Sequence, residues 1–221
     1  MTMVSEADFL EAVVGEDASR VRALVDESPS LAAAKNENGV SAPLLALYHR
    51  KKEVAELLAA RKEEITALDV FEAASFGRTE RLKSILDEEP ALVDACAADG
   101  FFPLGLAAFF GHEAAVRLLL ARGANPNLSA RNAMRVAAIH AACAAGSLPI
   151  VLALIEAGAD VNRVQQAGFT PLHAAAMSGR LDLARLLLDH GADPSAKADD
   201  GRDALALARE AKHQGLVDLL S

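Results

Sequence analysis

The sequence contains few aromatic residues and few cysteines. Aromatic side chains make up 4% of its 221 residues, tryptophan is absent, and there are two cysteines. Apolar residues still account for 52% of the chain, so alanine must supply much of the core. This composition predicts a thin, continuous core of small and aliphatic side chains.

The two cysteines, Cys96 and Cys143, do not have the spacing of a metal-binding or redox pair. Cys143 falls at a small-residue helix position, where a buried thiol is the usual arrangement. Cys96 lies near a predicted hairpin and is expected to be more exposed. A disulfide between the two stays open at this point, although an intracellular setting argues against it.

Basic residues are outnumbered, and the formal net charge is −9. This balance favours solubility and disfavours nucleic acid or an anionic membrane as the partner. A local basic patch around Arg50-Lys51-Lys52 is the exception left open. Residues 1–6 have neither a basic start nor an apolar segment, so no secretory leader is visible and a cytoplasmic location is expected.

One uncharged run of twenty residues, 136–155, has about the length that spans a bilayer. Gly146 and Ser147 interrupt this run with a turn, and Pro149 suits the start of a second helix. The run is therefore expected to fold back on itself, and no membrane association is predicted.

Motifs for catalysis are missing as well. The chain has no Gly-x-Ser-x-Gly elbow, no phosphate-binding loop and no Gly-x-Gly-x-x-Gly turn. None of its six histidines has a second histidine or a cysteine four residues further on, so zinc is not expected. The acidic runs at residues 87–89 and 199–200 fall at a predicted helix end and a hairpin tip, where solvated carboxylates are normal. We expect no enzyme activity, no cofactor and no metal.

A repeated segment is present instead. Residues 168–195 read GFTPLHAAAMSGRLDLARLLLDHGADPS, and weaker copies recur along nearly the whole chain. This copy predicts a helix start at Thr170-Pro171, a stop at Gly179 and a Leu-rich second helix ending at Gly191-Ala192-Asp193. No single copy could bury its own apolar face, so the copies must stack on one another.

The segment Thr170-Pro171-Leu172-His173-Ala174-Ala175 resembles the ankyrin repeat, whose signature includes Thr-Pro-Leu-His-x-Ala. The resemblance implies an all-α solenoid of stacked antiparallel helix pairs with short β-hairpin-like loops. It implies one domain over residues 1–221, with about seven units that include an N-terminal and a C-terminal cap. The approximate units are 5–37, 38–64, 65–96, 97–129, 130–163, 164–196 and 197–221. The compact, alanine-rich chain favours a bacterial source.

The spacing of the copies has one large departure from regularity. Positions equivalent to Pro171 are separated by 34, 27, 34, 35, 33 and 33 residues, against a family period of 33. The short gap lies near residue 62, where the chain runs from Leu57-Leu58 into residues 70–74 with no Gly-Ala-Asp turn. We predict that the projecting hairpin between the second and third units is missing.

The resemblance also assigns structural roles to several polar residues. His140 and His173 occupy the signature histidine position, which the family uses for hydrogen bonds between loops. Asn127 and Asn162 fall at a hairpin position and are interpreted as turn residues. His112 follows the helix-ending Gly111 and is interpreted as structural too.

Surface recognition is the function that this pattern favours. In ankyrin-like stacks the hairpin tips and the two residues before each helix-ending glycine line the concave face. Six of the nine aromatic residues map to such positions, and exposed aromatics commonly anchor protein contacts. The alternative for Phe76 or Phe110 is that the ring turns inward to fill a gap left by small alanines. The predicted protein-binding residues are Tyr48, His49, Phe76, Phe101, Phe109, Phe110, Phe169 and Met177.

The resulting prediction is a non-catalytic, monomeric scaffold or adaptor that binds an unidentified protein or peptide on its concave face. An alternative is a regulator or inhibitor that occludes the active site of a partner enzyme. A catalyst or a small-molecule binder is the third class, and it would require a closed pocket with converging polar groups.

Overall fold

A computed structural model describes residues 4–15 and 18–221 of the chain. Two parts of the sequence predictions lie outside these ranges. They are residues 1–3, from the segment in which no secretory leader is visible, and residues 16–17 of the predicted first unit. The described chain divides into two compact units, residues 1–73 (unit 1) and residues 74–221 (unit 2). The division falls inside one short helix, Val70–Ser75.

Both units are helical, as the repeat pattern predicts. In the described ranges, β pairing is limited to two isolated antiparallel bridges, Lys35 with Ser41 and Ser129 with Ala137. Short 3-10 turns occupy Pro29–Ala33, Pro90–Asp94 and Gln166–Gly168. The α-helices are α1 (Glu6–Val14), α2 (Ala18–Glu27), α3 (Ala42–Tyr48), α4 (Lys52–Ile65), α5 (Val70–Ser75), α6 (Thr79–Glu88), α7 (Pro103–Phe109), α8 (Glu113–Ala121), α9 (Ala138–Ala145), α10 (Leu148–Glu156), α11 (Pro171–Met177), α12 (Leu181–Asp189), α13 (Ala204–Glu210) and α14 (Gln214–Leu220).

Unit 2 consists of two layers of helices. The short helices α7, α9, α11 and α13 pack against one another in that order and form the inner layer. The helices α6, α8, α10, α12 and α14 form the outer layer, and each helix pair is antiparallel because a tight turn joins its members. In unit 1, α1 packs against α2 and α3, and α3 packs against α4.

The inner helices are short because their ends are marked in the sequence. Pro103 and Pro171 stand at the first helical position, where the missing N–H costs no hydrogen bond. Gly146 ends α9 in the left-handed conformation at φ 71°, which glycine adopts most easily. The uncharged run at residues 136–155 therefore becomes α9 and α10. Among the helices formed by residues 4–15 and 18–221, none has the length and the apolar character of a membrane span.

Small residues let the inner helices approach closely. Ala107, Ala108, Ala142, Ala175 and Ala176 are all completely buried. Leucines of the outer layer fill the space between the layers, and Leu119, Leu154 and Leu187 are also completely buried. The core is thus built from alanine and aliphatic side chains, as the composition predicts.

The predicted loss of a hairpin near residue 62 is confirmed. Helix α4 runs without a break to Ile65, and only residues 66–69 separate it from α5. The Gly-Ala-Asn and Gly-Ala-Asp turns close α8, α10 and α12 and lead into hairpins, whereas 3-10 turns follow α2 and α6. Ala67 in the short connection takes a positive φ of 69°, which lets the chain turn sharply without a glycine.

Asparagines connect successive turns of unit 2. The Asn127 side chain donates from Nδ2 to Gly158 O (2.9 Å) and accepts at Oδ1 from Asp160 N (2.8 Å). The Asn162 side chain repeats this pair of hydrogen bonds with Gly191 O and Asp193 N at 2.9 and 2.8 Å. Their interpretation as structural turn residues is confirmed.

Candidate functional site

The most exposed apolar residues of the inner layer lie at the ends of its helices. Phe109 ends α7 and Met177 ends α11, and these side chains are 52% and 53% exposed. Between them, Ala144 and Ala145 at the end of α9 are exposed as well. Because α9 packs between α7 and α11, Phe109, Ala144 and Met177 occupy matching places on three neighbouring helices, and Ala145 directly follows Ala144. We call them the helix-end row.

The helix-end row is apolar and contains no charged residue. Neighbouring helices pack at about 8–10 Å, so Phe109 and Met177 are separated by roughly 16–20 Å. Small alanine side chains thus separate two large, exposed apolar side chains along this row. This shape suits one face of a helix or a short extended segment from another protein.

Phe110 supports one end of this row. Its ring is half-buried and meets the Phe109 ring edge to face, with the centroids 5.1 Å apart. Edge-to-face packing is a favourable arrangement for two aromatic rings. Phe110 therefore limits the positions that the more exposed Phe109 ring can take.

Two further predicted contact residues lie in hairpins of unit 2. Phe101 follows Gly100 and Phe169 follows Gly168, and both rings are half-buried. The Phe169 ring centroid lies 5.3 Å from that of His173, at an angle of 57° between the rings. Part of each aromatic surface is thus already used inside the fold.

The prediction that Phe76 belongs to an exposed contact surface is wrong. Phe76 is only 5% exposed, and the Arg78 guanidinium carbon lies 5.9 Å from the centre of its ring. Phe76 follows the last residue of α5, whereas Phe109 is itself the last residue of α7. The Phe76 ring thus turns inward, which is the alternative that the sequence left open.

Tyr48 and His49 belong to unit 1. Tyr48 is the last residue of α3 and is half-buried, and His49 follows it and is exposed. These two residues and the helix-end row fall in different units, so the site described for unit 2 does not include them.

His140 and His173 act inside the scaffold. His173 Nδ1 accepts from Thr170 N (3.1 Å), and its Nε2 lies 3.2 Å from Arg202 O in the next hairpin. His140 makes the matching contacts with Ala137 N (3.3 Å) and Arg163 O (2.8 Å). Their predicted role in joining loops is confirmed.

Burial makes these histidines poor bases. Loss of solvent lowers the pKa of His140 to about 4, although its hydrogen bonds to backbone carbonyls act in the opposite direction. Burial also lowers the pKa of His173. Both rings are therefore neutral at pH 7, and Nε2 donates the hydrogen bond to the carbonyl of the neighbouring hairpin.

His112 has a comparable structural role. Its Nε2 lies 2.8 Å from Ser75 O, and its ring fills the space beside Gly77. A Cβ at Gly77 would lie 2.5 Å from His112 Nδ1, so only glycine fits there. The structural interpretation of His112 is confirmed.

The sequence interpretation overlooked one substitution in this network. Gly105 of α7 stands where α9 and α11 have His140 and His173. A Cβ built on Gly105 would meet no atom within 4 Å, and a narrow slot beside it is lined by Phe101, Leu128 and Val136. Comparison of the copies shows that glycine replaces the signature histidine at residue 105. Whether this replacement leaves empty space depends on how the surrounding side chains pack.

The described residues contain no group of three or more histidine, cysteine or acidic side chains placed to hold a metal ion. Cys143 is buried and Cys96 is half-buried, and both are free thiols. Burial raises the pKa of Cys143 to about 12, which keeps this thiol protonated.

Comparison with known families matches residues 70–165 and 139–221 to ankyrin repeats, in a pattern of three copies. These matches overlap and together extend over residues 70–221, about two thirds of the chain. They begin at the first residue of α5, directly after the missing hairpin.

Curated animal proteins are similar to part of the chain. The mouse "Ankyrin repeat and SAM domain-containing protein 6" is 34% identical over 112 residues, which are 49% of this chain and 12% of the mouse protein. The zebrafish protein of the same description is 33% identical over 101 residues, 41% of this chain and 13% of that protein. The chain thus matches 12–13% of the length of these relatives.

Proposed function

Because the chain belongs to the ankyrin-repeat family, we propose that it is a non-catalytic scaffold that binds a protein or peptide along the helix-end row of unit 2. Ankyrin repeats are generally protein–protein interaction modules. The proposal adds the place of contact and the chemistry of the surface.

The observation that carries this proposal is the exposure of Phe109 and Met177. A folded protein has about half of its surface made of apolar atoms, so a single exposed apolar side chain means little. Here two large side chains project from matching ends of neighbouring inner helices, and the floor between them is also apolar. Grouped apolar residues of this kind commonly form the centre of a protein interface.

The size of the surface also fits such a contact. Covering the exposed parts of Phe109 and Met177, roughly 100 Å² each, would contribute about 2 kcal/mol for each at about 25 cal/mol per Å² of buried apolar area. Half-buried Phe101, Phe110 and Phe169 would extend the interface toward the hairpins. We propose these five residues as the protein-binding set of unit 2.

Several broader expectations belong to the same proposal. The chain is proposed to act as one domain and as a monomer, in the cytoplasm, with no nucleic-acid partner. A bacterial source is likewise a prediction from composition. The net charge of −9 supports the exclusion of nucleic acid, because a polyanion repels a chain of the same sign.

A photo-crosslinking experiment tests the proposed place of contact. A benzophenone amino acid replaces Phe109 in one variant and Leu148 in a second, and Leu148 is also apolar and exposed but lies on outer helix α10. After irradiation in extracts of the source cell, the expected result is one specific protein adduct at position 109 and none at position 148. Equal crosslinking at both positions, or adducts to nucleic acid, would contradict the proposal.

A further inference from the structure

The hairpin at residues 129–137 differs from the other hairpins of unit 2. Its closing hydrogen bond joins Ala130 N to Val136 O, whereas the neighbouring hairpins close from Ala97 N to Phe101 O and from Gln165 N to Phe169 O. The hairpin is therefore two residues longer than its neighbours, which accounts for the 35-residue gap in the repeat spacing. Arg131, Met134 and Arg135 in this longer loop are all exposed.

One residue of this loop has an unfavourable backbone conformation. The residue before the closing carbonyl is glycine in the other hairpins, and Gly100 and Gly168 have φ values of 88° and 76°. In the longer hairpin Arg135 takes this place at φ 51°. An arginine is strained in the left-handed region, where glycine is not. The positive φ at residue 135 therefore favours glycine. The backbone conformation does not explain why an arginine is found there.

The loop is nevertheless well held by hydrogen bonds. The Asn132 side chain donates from Nδ2 to Asp99 O (2.9 Å) and accepts at Oδ1 from Met134 N (3.1 Å). On the other side, Gln166 N donates to Met134 O (3.0 Å). The exposed side chains thus project from a fixed backbone, which lowers the entropy lost on binding.

Charge is distributed unevenly around this loop. The whole chain has a net charge of −9, but residues 114–181 contain six arginines and only two acidic residues, Glu156 and Asp160. Three of these arginines form ion pairs within the chain: Arg117 pairs with Glu113, Arg122 with Asp87 and Arg180 with Asp182.

The other three arginines have no ion pair with any carboxylate in the described part of the chain. Arg131 lies over the Phe102 ring, with 5.6 Å from its guanidinium carbon to the ring centre. Arg163 donates from Nε to Ser129 Oγ at 3.2 Å, so it lies against the start of the same hairpin. The Arg135 guanidinium forms no ion pair with any described residue. The preceding hairpin contributes one carboxylate, Asp99, which accepts from Phe101 N.

Exposed apolar surface lies next to these charges. Met134 is 45% exposed and Val164, beside Arg163, is 44% exposed. The hydrogen bond from Gln166 N to Met134 O joins the two hairpins, so the segments that carry both exposed apolar side chains are adjacent. We call Arg131, Met134, Arg135, Arg163 and Val164 the arginine patch.

We infer that the arginine patch binds an acidic segment of the protein partner, a stretch with two or more Asp or Glu side chains around one apolar side chain. This inference rests on the proposed function and adds the chemistry of the partner. Arginine guanidinium groups donate paired hydrogen bonds to carboxylates, while Met134 and Val164 contact the apolar side chain. A protein segment fits better than nucleic acid, because the acidic remainder of the chain repels a polyanion but tolerates a short acidic stretch.

Selection from a random twelve-residue peptide library tests this inference, with the whole chain as bait. Peptides with Asp and Glu flanking an apolar residue are expected to be enriched, and the affinity of a synthesised example should fall with added salt. The Arg131→Glu/Arg135→Glu double variant should bind it roughly tenfold or more weakly. The matched control is Lys83→Glu/Arg185→Glu, which makes the same change of net charge on outer helices α6 and α12 and should bind as the wild type does.

A second variant separates binding from folding. Arg135→Gly introduces the residue that the other hairpins use, so it should fold as stably as the wild type and still bind the acidic peptide more weakly. If Arg131→Glu/Arg135→Glu loses binding and Arg135→Gly does not, the loss comes from repulsion between the introduced glutamates and the acidic peptide. That result would overturn a direct role for Arg135.

The outcomes also separate this inference from the proposed function. Enrichment of neutral or basic peptides that need Phe109 would keep the protein-binding function and overturn the acidic specificity. A third outcome is that no acidic peptide is enriched, while the wild type binds a labelled single-stranded oligonucleotide and Arg131→Glu/Arg135→Glu does not. This outcome would overturn both the acidic specificity and the protein-binding function.

Discussion

Lys62 and Glu72 form a buried ion pair, with Lys62 Nζ at 2.7 and 2.8 Å from the two carboxylate oxygens. The pair joins α4 to α5 across the connection that has lost its hairpin. Ser41 Oγ donates to the same carboxylate at 2.6 Å, and Asp69 N donates at 3.0 Å. Ser41 is equivalent to Thr170, so a residue of the repeat signature is here used to satisfy a buried charge.

Replacement of Lys62 with Met should strongly destabilise unit 1. The variant leaves the Glu72 carboxylate buried without its cation, and such a loss typically costs about 3–5 kcal/mol. The double variant Lys62→Met/Glu72→Met removes both charges and should recover a large part of this loss. Urea denaturation followed by circular dichroism measures both effects. A single variant as stable as the wild type would show that the pair contributes little.

Replacement of Gly105 with Ala should stabilise unit 2 by about 0.5–1 kcal/mol. Glycine in a helix interior costs roughly this amount relative to alanine, and an added Cβ meets no atom within 4 Å. Gly123→Ala is the matched control, because its Cβ also meets nothing but its φ is 86°. The control should destabilise by about 1–2 kcal/mol. Thermal denaturation measures the change in melting temperature for each variant. Equal changes for Gly105→Ala and Gly123→Ala would contradict the explanation from backbone conformation.

The stability of unit 2 should fall as the pH is lowered from about 6.5 to about 4. The pKa of His140 is about 4 in the folded chain, below its ordinary value of 6.5. As the pH falls, the unfolded chain therefore takes up this proton before the folded chain does. The free energy of unfolding decreases by up to about 3 kcal/mol across this window, at 1.36 kcal/mol per pH unit. Below pH 4 the contribution of His140 no longer changes.

Urea denaturation at pH 7, 5.5 and 4 of wild type and His140→Gln measures this dependence. The variant should show a shallower decline with falling pH, and part of the decline remains because burial lowers the pKa of His173 as well. His49→Gln, at an exposed histidine, serves as the control. An identical pH profile for wild type and His140→Gln would show that His140 is not the group responsible.

The two thiols should react at very different rates. Cys143 is completely buried and burial raises its pKa to about 12, while Cys96 is half-buried. Ellman's reagent should modify Cys96 in the folded protein and Cys143 only after unfolding. The Cys96→Ser variant should therefore lose the rapid phase. Rapid modification of that variant would contradict the burial of Cys143.

Much of the scaffold can be predicted from sequence because its signals are local. Pro171 and Pro103 mark helix starts, and Gly146 and Gly179 mark helix ends. The lost hairpin near residue 62 could be predicted because a missing turn shortens the spacing between copies. Each of these signals depends on residues that are close together in the chain.

The candidate site could be predicted only in part, because exposure depends on packing between repeats. Phe76 and Phe110 both directly follow the last residue of an inner helix, yet Phe76 is buried and Phe110 is half-buried. The Lys62–Glu72 pair was not predicted, since it forms only where the repeat register is broken. Arg135 was overlooked because its strain appears only in the backbone conformation of the longer hairpin.

The affinity of the crosslinked partner for defined variants tests the central proposal most directly. Phe109→Ala/Met177→Ala removes both large side chains of the helix-end row, and each truncation is expected to weaken binding by roughly 1–2 kcal/mol. Ile65→Ala/Leu148→Ala removes exposed apolar side chains from α4 and α10 as the control. Calorimetric titration should give a dissociation constant at least tenfold higher for the first variant and unchanged for the control. Wild-type affinity in Phe109→Ala/Met177→Ala, with the fold intact by circular dichroism, would contradict binding at the helix-end row.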